Sequence, residues 1–143
     1  MPGIDESLQR AMGISGARGV NLVDFTSGLV IGTVGEWPYG GADAAAAGAT
    51  EMVRAARDNA AFVGPERAAA PEPFGDADSD GLGKGDVWED IVLTAGDRYH
   101  LLRFVELGFD GRFFLHVWLD REQSNLAMAR LELRRLSDEL VMR

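Results

Sequence analysis

The sequence has no cysteine, a single lysine (Lys84) and only two histidines, His100 and His116. Without cysteine there are no disulfides, no thiolate metal sites and no cysteine nucleophile, a composition compatible with a reducing compartment. Basic residues are scarce: 14 Lys and Arg stand against 23 Asp and Glu, for a formal charge of −9. Phosphate recognition needs clustered cations, so this balance argues against a nucleic-acid-binding face. Long apolar runs are also missing. None approaches the roughly 18 residues that span a bilayer, and no basic-then-apolar leader opens the chain. The expected location is cytoplasmic, with no membrane span.

What is present suits one globular domain. With 143 residues and 46% hydrophobic content the chain can bury a core but is short for two domains, so 1–143 reads as a single unit. Ile4 to Ile14 is an amphipathic helix with Ile4, Leu8, Ala11 and Ile14 on one face. Asn21 to Val34, NLVDFTSGLVIGTV, reads as two strands folded about Thr26-Ser27-Gly28, and the strand after the turn is expected to be buried on both faces. Alanine-rich sequence from Asp43, a plausible cap, to about Asn59 forms a second helix, with Ala45, Ala49, Met52, Val53, Ala56 and Ala60 toward the sheet. Beside that face runs another stripe, Ala44, Ala47, Gly48, Glu51 and Ala55, nearly all small, which would let another helix approach closely.

Residues 62–87 carry Pro65, Pro71, Pro73 and many Gly and Asp, and read as a flexible acidic insertion. Three strands follow, EDIVLTA, RYHLLRFVEL and RFFLHVWLD, joined by short Gly-containing turns as an antiparallel meander. The last is apolar on both parities, with Phe113, Leu115, Val117 and Leu119 on one side and Phe114, His116 and Trp118 on the other, so it is central and covered on both sides. Asp120, with Gln123 three residues on, caps a terminal helix whose stripe is Leu126, Ala129, Leu133, Leu136 and Leu140. Met128 and Leu131 fall off that stripe and mark a contact with another chain. The order α-β-β-α-β-β-β-α predicts an α+β fold, a five-stranded antiparallel sheet with helices on both faces.

Catalytic signatures are weak. Asp76, Asp78 and Asp80 with Gly81 copy the first half of an EF-hand loop, but Val87 stands where the bidentate Glu belongs, so the reading is an acidic solvated loop and no metal. His100 and His116, on adjacent strands, could face each other, yet nothing supplies a third ligand. There is no G-x-S-x-G elbow and no G-K-[ST] phosphate loop. The expectation is a protein without a cofactor that is not an enzyme.

The element order, together with GVNLVDFTSGLVIG at 19–32 and EDIVLTAGDRYHLLRFVE at 89–106, resembles the roadblock family, relatives of dynein light chains that in bacteria accompany small Ras-like GTPases. The resemblance implies a homodimer in which the edge strand Asp90 to Thr94, with Ile91, Val92 and Leu93, pairs with its copy while the central helix pairs with its mate. It implies function by regulating or scaffolding a Ras-like GTPase, with Arg54 and Arg57 as contacts on the central helix. A reading from another class is a sensory domain of similar mixed fold that binds a small ligand between sheet and helix. The long insertion before the edge strand departs from compact family members.

Overall fold

The computed structural model describes residues 3–63, 89–107 and 111–141. The chain divides into two compact units, residues 1–50 with 90–143, and residues 51–89. The first holds a five-stranded antiparallel sheet of β1 (Ala17–Asp24), β2 (Val30–Gly35), β3 (Asp90–Thr94), β4 (Arg98–Leu107) and β5 (Gly111–Asp120). Its spatial order is β2-β1-β5-β4-β3, which puts β5 at the centre and β2 and β3 at the edges. Helices α1 (Ile4–Ala11) and α4 (Leu126–Val141) belong to this unit. Helix α2 (Gly41–Asp58) begins in it and continues into the second, where α3 (Ala60–Val63) follows.

The period-2 pattern of β5 sorts its side chains as expected. Leu115, Val117 and Leu119 join Val20 and Leu22 of β1, Leu101 and Val105 of β4, Leu8 and Ala11 of α1, and Ala129, Leu133, Leu136 and Leu140 of α4 in one buried cluster. The opposite face carries Asn21, Val23, His100, Leu102, Phe104, Phe114, His116 and Trp118, and the start of α2 reaches it through Asn21 Nδ2, which donates to Ala42 O at 3.1 Å. Helices therefore lie on both faces. Charge ties the periphery together: Arg130 of α4 grips Asp90 at the start of β3 through two bonds of 2.8 and 3.1 Å, and Arg10 of α1 pairs with Glu139 of α4.

Several local expectations change. Strand β2 is an edge strand, and Ile31 is 45% exposed and Leu29 before it 65%, so only one of its faces is covered. The hairpin connection is longer than Thr26-Ser27-Gly28, since β1 ends at Asp24 and β2 starts at Val30, and within it Asp24 Oδ1 accepts from both Thr26 N and Thr26 Oγ1. These bonds hold the Asp24 carboxyl below its ordinary range. Helix α1 stops at Ala11, and Ile14 is buried in the turn that follows. Helix α2 starts two residues before Asp43, which sits in its first turn. Its buried residues are Ala46, Ala49, Thr50 and Val53: Ala49 and Val53 are on the expected face, Ala45, Met52 and Ala56 of that face are half-buried, and Ala46 and Thr50 are buried beside it. Asp120 caps a 3₁₀ turn at Arg121–Gln123 by accepting from Glu122 N, and the cap of α4 is Asn125, whose Oδ1 accepts from Met128 N.

One glycine closes the end of the β1–β2 ladder. Gly35 has φ +91°, and a Cβ there would collide with Arg18 O and lie 2.8 Å from Gly19 Cα. Both obstacles are backbone and cannot swing aside. Gly35→Ala is expected to destabilise the fold by about 2–4 kcal/mol, combining positive-φ strain with a steric clash. Urea unfolding of the variant against the wild type measures it.

Candidate functional site

The small-residue stripe of α2 faces outward: Ala44, Ala47, Gly48, Glu51 and Ala55 are all exposed. A Cβ placed on Gly48 would meet nothing within 4 Å. The buried side of the same helix uses a different set of residues, so among the described residues the stripe has no packing duty within the chain. Arg54 is exposed and Arg57 half-buried, each engaged in an interaction of its own. Among the described residues strand β3 pairs on one side only, with β4, in the register Ile91↔Leu102, Val92↔Leu101 and Leu93↔His100. Val92 packs against the main core, while Leu93 is 39% exposed. The edge strand thus presents an unpaired backbone ladder and part of an aliphatic surface. Met128 and Leu131 of α4 are likewise exposed. Asp76, Asp78 and Asp80, with most of the acidic insertion, lie outside the described residues.

The two histidines do meet. His100 Nδ1 and His116 Nε2 are 2.9 Å apart, one ring donating and the other accepting. His116 is buried, and burial first, then the neighbouring His100, pushes its pKa down to about 3. Burial also lowers His100, with Arg98 adding to it. Both rings are therefore neutral at pH 7. No group of three His, Cys, Asp or Glu side chains that could hold a metal ion occurs among the described residues.

Around this pair sits an aromatic cluster that sequence reasoning does not single out. Trp37 packs edge-on against His116 with ring centroids 5.0 Å apart. Trp118 Nε1 donates to Glu36 O at 2.7 Å. The Arg98 guanidinium lies 4.9 Å from the Tyr39 ring centroid and 5.2 Å from that of Trp118, while its Nε donates to Asp97 Oδ1 at 2.9 Å. The one signal for this cluster is the run Glu36-Trp37-Pro38-Tyr39 directly after a strand. It fixes the connection leading from β2 into α2.

No protein-family model matches the chain, and no curated protein matches it. Solved structures do. An MglB structure with a tetrameric arrangement superposes with a TM-score of 0.65 at 17% identity, covering 96% of this chain and 85% of that one. The MglB of Myxococcus xanthus gives 0.64 at 18% identity, with 96% and 90% covered. The roadblock/LC7 domain from Streptomyces avermitilis gives 0.63 at 17%, with 96% and 94% covered. The fold is the roadblock fold.

Proposed function

We propose, with the roadblock fold as premise, that this chain is a non-enzymatic, dimeric regulator or scaffold of a small Ras-like GTPase. The observation that carries the reading is the outward stripe of α2, a helix face of small side chains on a sheet-and-helix architecture shared across 96% of the chain with MglB and roadblock/LC7 structures. A face of small side chains not needed for the chain's own core is suited to close approach by a second helix. The edge of β3 supports the same reading. Pairing with its copy would satisfy the open ladder and cover Leu93 and its neighbours. In this arrangement Arg54 and Arg57 flank the helix pair and contact the GTPase, whose switch regions and bound phosphates carry complementary charge.

The test is affinity capture of the tagged chain from its source cell, followed by mass spectrometry and by titration of the recovered GTPase in its GDP and GTP-analogue forms. A Ras-like GTPase bound with different affinity in the two forms is the expected result. Recovery of a retained small molecule and no GTPase would replace this reading with the sensory one.

A further inference from the structure

At the sheet face opposite α1 and α4, three buried side-chain polar atoms, two of them on the sheet and one on the connection after β2, have no hydrogen-bond partner among the described residues. Asn21 is fully buried; its Nδ2 donates to Ala42 O, and its Oδ1 has no partner among the described residues. His116 is buried, uses Nε2 on His100, and keeps Nδ1 unpartnered. Trp37 Nε1 is buried without an acceptor. The three residues are neighbours. Asn21 and His116 are direct partners across the β1–β5 ladder, and the Trp37 indole stands against the His116 ring at 5.0 Å and 61°. A buried polar atom without a partner costs about 1–3 kcal/mol, and native folds seldom carry several side by side.

The chemistry of the three atoms narrows what can serve them. Trp37 Nε1 only donates, Asn21 Oδ1 only accepts, and His116 Nδ1 does one or the other according to which ring proton lies between the histidines. A cation has no use for the indole N–H, and an anion is repelled by the amide oxygen. A neutral molecule that donates and accepts at one atom fits all three, and it bridges partners about 5–6 Å apart. We propose that Asn21, Trp37 and His116 form a binding site for one internal water molecule. The water accepts from Trp37 Nε1, donates to Asn21 Oδ1, and makes its third bond to His116 Nδ1 in whichever sense the tautomer allows, within the usual two to four bonds of a buried water. It joins β1, β5 and the connection into α2 through a single atom, and so holds the first turn of that helix in place.

Water–protein cross-relaxation on the 15N-labelled protein tests this. The Trp37 indole proton is expected to show NOE and ROE cross-peaks of opposite sign at the water frequency, which marks a resident water and separates it from chemical exchange. In Asn21→Leu, if it folds by its amide spectrum, those peaks should disappear. Absence of the water peak in the wild type, with the indole proton instead in direct contact with the Asn21 or His116 side chain, overturns the proposal. The wild-type spectrum decides by itself if the variant does not fold.

Discussion

Gly48→Leu is expected to turn a dimer into a monomer while leaving the chain itself as stable as before or more so. In the single chain a Cβ at this position meets nothing within 4 Å among the described residues, and the position is exposed, which leaves a longer side chain room to point into solvent. Within a helix interior it also removes the roughly 0.8–1 kcal/mol that glycine costs relative to a good helix former. Any loss must therefore come from a second copy. Overfilling a close helix pair costs about 1–3 kcal/mol at each site, and a two-fold interface contains the site twice, so the dissociation constant should rise by roughly 30-fold to more than 10⁴-fold. Light scattering across a concentration series reads the mass, and urea unfolding under monomeric conditions reads the stability. Gly48→Ala should raise helix stability with a smaller effect on association. A Leu variant that stays dimeric removes α2 from the interface.

Acid should destabilise the fold well above the carboxylate range. His116 has a folded pKa of about 3 against an ordinary value of 6.5, so the unfolded chain binds the proton first as pH falls. The stability this neutral ring supports is complete above 6.5, declines steadily below it, and stops declining near 3. At pH 4 the loss is about 3 kcal/mol, a large share of what a domain of this size possesses. His100 is displaced in the same direction and adds to it. Asp24 and Asp97, whose carboxyls are held low by hydrogen bonds from Thr26 and Arg98, lose their contribution only below about 4, so among the shifted groups of the described residues the histidines act in the interval from 6.5 to 4. Denaturation at fixed protein concentration across that interval measures the slope. His116→Leu should flatten it even if the variant is weaker at pH 7, and an unchanged slope would place the titrating group elsewhere.

These two residues also show what a sequence can and cannot convey. The double-sided apolar pattern of β5 identifies the central strand, and with it the placing of His116 on the opposite face from Leu115 and Val117. The facing of the two histidines follows from their being on neighbouring strands. The packing on His116 does not, because part of it comes from Trp37, which arrives from a connection with no periodicity to read. Helix α2 is legible as a helix, and Ala49 and Val53 lie on its buried side as expected, but the phase of its first turns is not legible. Between Asp43 and Ala49 every residue is alanine or glycine, and without polar residues to mark the wet side nothing distinguishes Ala45 from the fully buried Ala46. Strand β2 misleads for a related reason: Ile31 is as aliphatic as any core residue, and whether a strand lies at an edge is a property of its neighbours. Asp120 and Asn125 are both good caps, five residues apart, and the intervening 3₁₀ turn decides which one starts the long helix.

The sheet order has a consequence for how the protein is made. Strand β1 is synthesised early, yet its central neighbour is β5, with Val20 lying across from Val117. Until the ribosome has released β5, β1 and β2 can form only a hairpin with part of its ladder open and most of its apolar surface uncovered. Closing the β1–β5 pair requires joining segments far apart in sequence, the kind of contact that slows folding. Throughout the synthesis of everything between them, the nascent chain carries an aliphatic strand in need of a guardian, and production of this protein should depend on chaperone capacity more than its final stability would indicate.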